Sequence, residues 1–403
     1  MLIPSPARAA LGCLNEAGFE AYLVGGCVRD TVLGIPPHDY DICTAATPDE
    51  MKQVFRSFRL VETGIKHGTL TVLIENTPLE ITTFRQDGEY LDHRRPREVL
   101  FTRTLESDLS RRDFTINAMA YHPGIGLVDL FGGQADCRQG IIRCVGDADT
   151  RFTEDALRIL RALRFAARFR FRMDADTEKA LLARQQLLKS ISIERIAAET
   201  GGLMLADGAG QILQQYGEVL FTAVPGLAMP TADWQQACTA LAHAEKAPLL
   251  RFAVLLSPLG AEKAAAILRL LKLPNQLQND VAVLLRHQAD ALTEAGMLRT
   301  LMQVGDRLVP PLISLQQVLK TARTPGMQAL HAQEAARLHH SARQLIDSNA
   351  CYLLARLAVK GSDLLSLGIT GPRVGQTLQQ LLEAVVAGKV ENEKEALLQL
   401  LQE

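Results

Sequence analysis

Two aspartates separated by a single residue, Asp39 and Asp41, are the side chains of this chain best suited to metal chemistry. In a β-strand, residues two apart point to the same face, so both carboxylates can reach one point in space. Magnesium binds oxygen ligands and usually keeps positions for water and substrate phosphates, which two carboxylates would leave open. The pair indicates a Mg²⁺ site for phosphoryl or nucleotidyl transfer, although a lone Asp-x-Asp is more often a solvated acidic turn.

The sequence before the pair favours the catalytic interpretation. Leu23–Asp30 reads LVGGCVRD, which predicts a short apolar strand, a Gly-Gly turn and the start of a helix. Backbone amides at Gly26 can approach a phosphate closely, because glycine has no side chain in the way. Arg29, one turn into the helix, could add a cation to the same phosphate.

A third carboxylate, Glu80, lies in a segment with the alternation of a β-strand. The run Leu79–Phe84 places Glu80 and Thr82 on one face. Glu80 could join the aspartate pair if the two strands are neighbours, and the pattern equally allows an exposed glutamate. Its relation to the pair therefore depends on the order of strands in the sheet.

The segment from Thr153 onward combines acidic and basic side chains in helical spacing. Thr153 is a candidate N-cap, and Glu154 and Asp155 then fall in the first helical turn, where acidic residues offset the helix dipole. Capping does not account for the basic residues that follow at intervals of three or four and would share one broad helix face. These residues are Arg158, Arg161, Arg164, Arg168 and Arg172.

Five strings resemble one branch of the nucleotidyltransferase superfamily that includes DNA polymerase β. They are LVGGCVRD, DYDICT, EITTFR, RRDFTINAMA and EDALRILRALRF, in the family's order between residues 21 and 172. That branch is the class II tRNA nucleotidyltransferases, the CCA-adding enzymes, together with bacterial poly(A) polymerases. The resemblance implies template-independent addition of CCA to the 3′ end of tRNA from CTP and ATP, with Mg²⁺ as cofactor.

The resemblance also implies a role for each matching residue. Asp39, Asp41 and Glu80 correspond to catalytic carboxylates, and the two aspartates to metal ligands. Glu80 would help to bind the metal and lower the proton affinity of the attacking RNA 3′-hydroxyl. Arg112 and Asn117 could contact the triphosphate and ribose. The residues implied to contact the incoming CTP or ATP are Gly26, Arg29, Arg112, Asp155, Arg158, Arg161 and Arg164.

The resemblance assigns Asp155 and Arg158 to an amino-acid template for the incoming base. A carboxylate accepts a hydrogen bond from an exocyclic amino group, and a guanidinium donates to the adjacent ring nitrogen. Cytosine and adenine present both groups side by side, whereas uracil and guanine place a carbonyl opposite Asp155. The unpaired polar group would cost roughly 1–3 kcal/mol, which permits C and A without a nucleic-acid template.

Two regions bear on the choice between related activities. Residues 90–106 are polar and rich in charge, which indicates a solvated loop; its central basic residues are Arg94, Arg95 and Arg97. In the family a flexible loop here switches specificity from C to A and is shortened in CC-only relatives, so its length favours complete CCA addition. The mildly acidic C-terminus argues against a poly(A) polymerase. The sequence also allows a partial A-only or CC-only enzyme and a non-catalytic tRNA-binding protein, and the intact acidic pair argues against the latter.

Composition limits the remaining possibilities. With 403 residues and a hydrophobic fraction of 47%, the chain can form several domains with a sizeable core. The formal charge of −2 excludes a uniformly basic surface, so RNA contacts must come from local clusters. The seven cysteines have no metal-ligand spacing, and we find neither a signal pattern nor an apolar run of membrane-spanning length. We therefore expect a cytoplasmic protein with reduced thiols.

We predict an α/β catalytic head of the polymerase-β type with a mixed sheet, over residues 1–145, followed by all-α domains. These are a neck with the base-recognition helix (146–200), a body (201–300) and a tRNA-binding tail (301–403). Ser192–Ile196 resembles a family helix motif near the end of the neck, which we assign to scaffolding, and family relatives suggest a homodimer. The predicted strands are Ala21–Val24, Tyr40–Cys43, Thr69–Ile74, Leu79–Phe84 and Ile141–Val145.

Overall fold

The computed structural model describes residues 1–87 and 99–402. The chain forms two compact units, Met1–Pro225 and Gly226–Glu403. The first unit begins with a mixed α/β sheet and continues in helices, and the second unit is helical. The predicted fold class, an α/β head followed by a largely helical region, is confirmed. The finer division into head, neck, body and tail stays a prediction.

The strands belong to the first unit. They are β1 (Ala21–Val24), β2 (Ile42–Thr44), β3 (Arg59–Val61), β4 (Thr69–Ile74), β5 (Thr77–Thr83), β6 (Arg85–Asp87), β7 (Val99–Phe101), β8 (Met119–His122), β9 (Gly126–Asp129), β10 (Ile141–Ile142) and β11 (Arg172–Met173). A seven-stranded sheet has the order β3-β4-β5-β2-β1-β8-β9, in which β2 and β5 are parallel and the other neighbours antiparallel. β1 is buried along its whole length, as expected of an inner strand.

The predicted strand bounds are confirmed for the two strands whose residues are either all buried or alternately buried. β1 and β4 have the predicted bounds, whereas β2 begins at Ile42 instead of Tyr40 and β5 runs from Thr77 to Thr83. The predicted strand Ile141–Val145 is reduced to its first two residues, which pair with β11 in a separate parallel two-stranded sheet. Strand β11 also interrupts the region predicted to be entirely helical.

The helices of the first unit cover the sheet and then continue beyond it. They are α1 (Ser5–Glu16), α2 (Gly26–Val32), α3 (Pro48–Val54), α4 (Leu105–Ser110), α5 (Gly133–Gln139), α6 (Ala148–Glu154), α7 (Leu157–Phe169), α8 (Ala175–Arg184), α9 (Ile193–Met204) and α10 (Ala209–Ala223). Helix α4 packs Leu105 and Leu109 against a buried cluster on one sheet face, with Tyr22, Cys43 and Phe84 among its members. That cluster holds the ends of β1, β2 and β5 in fixed positions.

The second unit consists of further helices. They are α11 (Thr231–Leu241), α12 (Pro248–Leu256), α13 (Gly260–Leu270), α14 (Asn275–Arg286), α15 (Met297–Val304), α16 (Val309–Arg323), α17 (Gln328–Asp347), α18 (Gly361–Ser366), α19 (Pro372–Val386) and α20 (Lys394–Gln399). Leu357, Leu364, Leu381 and Leu397 form a buried cluster near its C-terminal end. Among the residues that the structure describes, no helix has the length and apolar character needed to cross a membrane.

Candidate active site

A cleft of about 480 Å³ in the first unit collects most of the predicted site residues. Its walls contain eight arginines and three aspartates, so a strongly anionic ligand is favoured there. The predicted site residues that line the cleft are Gly26, Arg29, Asp41, Arg112, Asp155, Arg158, Arg161 and Arg164. Asp39 and Glu80 are not among its lining residues.

The acidic pair lies at the end of a central strand. Asp39 and Asp41 are in the loop that leads into β2 and not within the strand, which corrects the predicted start of that strand. The loop is tied to the sheet, since the amide of Val24 donates to the carbonyl of Asp41 at 3.0 Å. β2 and β5 are parallel neighbours, and their register extended by one residue places Asp41 beside Glu80. The strand order therefore meets the condition on which the prediction for Glu80 depended.

The three carboxylates repel one another. Partial loss of water in the cleft wall is the largest cause that raises the pKa of Asp41, and the negative charges of Glu80 and Asp39 raise it further. The guanidinium of Arg112 opposes these effects. The same negative charges of Glu80 and Asp39 would stabilise a cation placed beside Asp41.

This donor set fits Mg²⁺. Within residues 1–87 and 99–402, no group of three or more His, Cys, Asp or Glu side chains is arranged as a preformed metal cage. Mg²⁺ does not need one, because it usually takes one or two carboxylates and completes its shell with water and substrate phosphates. Asp39 and Asp41 are both exposed, so their oxygens remain accessible to a hydrated ion.

The Gly-Gly turn has the predicted form. Gly25 has a φ of 72° and immediately precedes helix α2, which begins at Gly26. A Cβ at Gly25 would lie 3.2 Å from Nη1 of Arg112, so the turn needs glycine both for its backbone conformation and for the approach of this arginine. The turn and Arg112 thus form one wall of the cleft.

Arg29 is buried and rigidly held. Its Nε and Nη2 donate to Oδ1 of Asp30 at 2.8 and 2.6 Å, and its Nη1 donates to Oδ1 of Asn117 at 2.6 Å. The guanidinium also lies over the rings of Phe165 and Phe169, at 5.3 and 4.8 Å from their centroids. Burial lowers the pKa of Arg29, and Asp30 opposes that effect. The side chain therefore contributes a fixed cation to the cleft wall.

Arg112 is held by a buried carboxylate that sequence reasoning missed. Oδ2 of Asp108 accepts from Nη2 of Arg112 at 2.9 Å, and Oδ1 accepts from Nη2 of Arg111 at 2.8 Å. Burial alone would raise the pKa of Asp108, but the two guanidinium groups lower it below the ordinary value. Nε of Arg112 is buried without a hydrogen-bond partner in the described part of the chain. Arg112 itself is among the residues that line the cleft.

The segment predicted to contain the base-recognition helix forms two helices around Asp155 and not one. Asp147 caps α6 by accepting from the amide of Thr150 at 2.7 Å, and Asp155 ends that helix with extended backbone angles before α7 begins. The prediction of Thr153 as N-cap is wrong, because Thr153 lies inside α6 and its hydroxyl donates to the carbonyl of Asp149. The predicted arginine face is present in α7, except that Arg172 lies beyond its end in β11.

Asp155 and Arg158 are fixed at the junction of the two helices. Oδ1 of Asp155 accepts from the amide of Leu157 at 3.1 Å, and Oδ2 accepts from Nη2 of Arg195 at 2.8 Å. Nη1 of Arg158 donates to Glu154 at 2.7 Å, and its Nη2 donates to the carbonyl of Arg111 at 2.9 Å. Both side chains line the cleft, so a carboxylate and a guanidinium are presented to a ligand there.

Arg161 and Arg164 are oriented by two further carboxylates. Asp113, 9% exposed, accepts from Nε of Arg161 at 2.8 Å and from Nδ2 of Asn117 at 3.0 Å. Glu199, in α9, accepts from Nε of Arg164 at 2.5 Å. Burial alone would raise the pKa of Asp113, but Arg161 and the hydrogen bonds lower it. Sequence reasoning missed both carboxylates, although Asp113 stands in the string RRDFTINAMA.

The predicted specificity loop falls only partly within the described residues. Residues 88–98, with Arg94, Arg95 and Arg97, lie outside them. The later part of the segment contains β7 and the start of helix α4, whose Asp108 forms the ion pairs with Arg111 and Arg112. The role of residues 90–106 stays a prediction.

The sheet, the Gly-Gly turn and the acidic pair define a nucleotidyltransferase head. In agreement, residues 21–143 match the family model of the poly(A) polymerase head domain, and residues 249–401 match tRNA nucleotidyltransferase domain 2. The chain is 39% identical over 401 residues to the CCA-adding enzyme of Geobacillus thermodenitrificans, covering 97% of this chain and 95% of that relative. The chain belongs to the family of CCA-adding enzymes, which are tRNA nucleotidyltransferases.

Other relatives agree with this membership. The CCA-adding enzyme of Levilactobacillus brevis is 36% identical over 399 residues, covering 97% of this chain and 96% of the relative. The crystal structure of the Bacillus stearothermophilus CCA-adding enzyme in complex with CTP has a TM-score of 0.82 at 34% identity, covering 98% of this chain and 96% of that one. A Thermotoga maritima CCA-adding enzyme complexed with tRNA_CCA shares the fold, with a TM-score of 0.67 at 23% identity and coverage of 100% and 96%. The predicted family and enzyme class are confirmed.

Proposed function

We propose that this chain adds C, C and A in turn to the 3′ end of tRNA from CTP and ATP. Side chains of the protein, and not a nucleic-acid template, would select each base. The observation that carries the proposal is that one cleft holds an acidic residue suited to metal chemistry, Asp41, and a carboxylate–guanidinium pair suited to reading a base, Asp155 and Arg158. An enzyme that needed only phosphate chemistry would have no use for the second pair.

The acidic residues would bind the metal ion for the bond-forming step. Asp39 and Asp41 would hold Mg²⁺, which when bound lowers the proton affinity of the RNA 3′-hydroxyl and stabilises charge on the phosphates. Glu80 is level with Asp41 when the β2–β5 register is extended by one residue, and it would support the same ion. The 3′-hydroxyl gives up its proton to solvent, and its oxygen forms a bond to the α-phosphorus of the nucleotide while the bond from that phosphorus to pyrophosphate breaks and pyrophosphate leaves. The result is an RNA longer by one nucleotide.

The basic residues bind the triphosphate. The Gly25–Gly26 turn lets phosphate oxygens approach the backbone, because no Cβ blocks them. Arg29 is held rigidly in the wall, and Arg112 lines the same cleft beside the turn. Arg161 and Arg164, fixed by Asp113 and Glu199, would add further contacts. A guanidinium that is already oriented loses little entropy when it binds a phosphate.

Asp155 and Arg158 read the base. Each oxygen of a carboxylate can accept more than one hydrogen bond, so Asp155 keeps acceptor capacity beyond its bonds to Leu157 and Arg195. An amino group of cytosine or adenine would satisfy that capacity, whereas the carbonyl of uracil or guanine would meet an acceptor. We expect this contrast to set the choice of nucleotide.

The test uses purified protein and three tRNA substrates that lack the whole CCA end, its last two nucleotides or only the final A. Each is incubated with CTP and ATP separately and together, and the products are sequenced. Products that carry the complete CCA end and are not extended beyond the final A support the proposal. Runs of A would indicate a poly(A) polymerase, and products that stop at CC or accept only the final A would indicate a partial enzyme.

Two further expectations accompany this proposal. We expect a homodimer, on the strength of the family resemblance, and a cytoplasmic location, on the strength of cysteines that lack metal-ligand spacing. All seven cysteines are free and five of them are buried, which is compatible with a reducing compartment. Contacts within a single chain do not bear on the homodimer. Light scattering of the purified protein would measure the mass of the assembly, and a single-chain mass of 44.1 kDa would contradict the dimer.

A further inference from the structure

One arginine from α9 reaches the cleft and contacts the proposed base-reading carboxylate. Arg195 stands in the segment Ser192–Ile196, which the sequence pattern assigned to scaffolding. Its Nη2 donates to Oδ2 of Asp155 at 2.8 Å, across 40 residues of sequence, and its side chain is 27% exposed. The residue is therefore placed at the functional cleft and not only at a packing contact.

The second terminal nitrogen of Arg195 argues against a purely structural role. Nη1 is buried and has no hydrogen-bond partner among the residues that the structure describes. A buried donor without a partner costs free energy, so packing alone would favour an apolar side chain here. Arg195 also lines the same cleft as Asp155 and Arg158.

We propose that Arg195 is a positioning residue for nucleotide selection, which fixes the carboxylate of Asp155 in the orientation that distinguishes C and A from U and G. This inference rests on the proposed base-reading role of Asp155. Two bonds define the plane of that carboxylate, one from the amide of Leu157 to Oδ1 and one from Arg195 to Oδ2.

Without Arg195, the carboxylate of Asp155 would keep, of its two bonds within the described residues, the one from the amide of Leu157. The carboxylate could then turn about its side-chain torsions and move its oxygens away from an unfavourable carbonyl. Discrimination depends on an acceptor that cannot move away, because the penalty for the wrong base comes from an enforced unpaired contact. The expected effect of losing Arg195 is therefore a change in selectivity, in addition to any change in rate.

The experiment measures kcat/KM for CTP and for UTP on a tRNA that lacks the whole CCA end. The variants are Arg195→Met, Arg195→Lys, Asp155→Ala and the double variant Arg195→Met with Asp155→Ala. Arg184→Met is the matched control, because Arg184 makes an ion pair with Asp149 at 2.6 Å, lies on the surface and does not line the cleft. Thermal unfolding of each variant reports whether it is folded.

We expect Arg195→Met to lower the CTP-to-UTP ratio of kcat/KM by about tenfold or more, the size of effect for one lost polar discrimination. Arg195→Lys keeps a donor but not the planar guanidinium, so its ratio should lie between those of the wild type and Arg195→Met. The control should keep the wild-type ratio. If Arg195→Met does not fold, the lysine variant alone decides, and a wild-type ratio for it overturns the inference.

The double variant separates the inference from the proposed function. If Arg195 acts through Asp155, adding Arg195→Met to Asp155→Ala leaves the ratio where Asp155→Ala alone put it. The inference would be overturned if the double variant lowered the CTP-to-UTP ratio below that of Asp155→Ala by the same factor as Arg195→Met lowers it in the wild type. It would also be overturned if Arg195→Met kept the wild-type ratio while Asp155→Ala lowered it. An unchanged ratio in Asp155→Ala would instead overturn the base-reading role itself.

Discussion

Replacement of Asp113 by alanine tests whether buried charge holds the arginine face of α7 in place. Asp113 is 9% exposed and accepts hydrogen bonds from Arg161, Asn117 and the amide of Phe114. The variant leaves these donors without their common acceptor. We expect a folded but clearly less stable protein with reduced incorporation of both CTP and ATP, because Arg161 loses its orientation.

The size of the loss follows from the contacts. Removing one partner of a buried ion pair costs about 3–5 kcal/mol of folding free energy. Arg161 retains Glu199 as a second acceptor at 3.5 Å and its side chain is 32% exposed, so the low end applies. With a loss of about 3 kcal/mol, the unfolding midpoint of a unit of this size should fall by about 6–12 °C.

The loss of unfolding free energy in Asp113→Ala also depends on pH, and the pKa shift of Asp113 determines the direction of that dependence. The pKa of Asp113 is lowered in the folded protein, so its stabilising contribution is present above the ordinary carboxyl pKa of about 4. That contribution is lost as the pH falls through the lowered pKa. The difference in unfolding free energy between wild type and Asp113→Ala should therefore be full at neutral pH and shrink under acid conditions below about pH 4.

Urea unfolding at a series of pH values, with thermal unfolding at neutral pH, measures both quantities. Asp149→Ala is the matched control, because Asp149 is also paired with an arginine, Arg184, but both side chains are exposed. The control should leave the midpoint nearly unchanged. An Asp113→Ala midpoint equal to that of the control, or a difference that persists unchanged into acid, would refute the reasoning.

Three further predictions concern the cleft and its neighbourhood. Asp39→Ala or Asp41→Ala should abolish incorporation of CTP and ATP while tRNA binding by gel shift stays nearly intact, and near wild-type turnover in either would contradict the metal assignment. Gly34→Ala, at a φ of 73° with open space around it, should cost about 1–2 kcal/mol. Gly25→Ala should cost more, because its φ of 72° is combined with a ψ of −122°, which residues with a side chain scarcely adopt, and because a Cβ there would crowd the guanidinium of Arg112. Unfolding midpoints compare the two, and equal losses would argue against the contact. Partial deletion of residues 90–106 should leave CC addition working and stop the final A, as measured by sequencing the products; equal loss of both steps would mean that the segment only supports the fold.

The sequence predicts structure best where local patterning decides it. The bounds of β1 and β4 follow from sequence, because a continuous apolar run and an alternating pattern each leave little choice of register. The predicted cap at Thr153 fails for the opposite reason. Asp147, six residues earlier, is an equally good cap by type, and only the packed structure selects it.

The residues that sequence reasoning missed are those whose role depends on tertiary pairing. Asp108 and Asp113 stand close to arginines in sequence, which is typical of a solvated charged surface as much as of a buried network. Arg195 and Glu199 stand four residues apart on α9, so they share a helix face, but the sequence does not reveal which helix that face meets. Distant elements decide which partner such a charge meets, and that pairing in a buried or half-buried site distinguishes these residues from ordinary surface charges.

Hydrogen bonds and ion pairs connect six side chains in and around the cleft, and that connection separates two kinds of variant. In order of contact, the members of this network are Arg161, Asp113, Asn117, Arg29, Asp30 and Arg168. The network joins the arginine face of α7 to α2 behind the Gly-Gly turn, so the turn and helix α7 cannot shift independently without breaking one of these contacts. A change within the network should therefore impair C and A addition together. A change at Arg195, which contacts Asp155 from outside the network, should alter the choice of base instead. The comparison of Asp113→Ala with Arg195→Met tests this division directly, because only the second should change the CTP-to-UTP ratio.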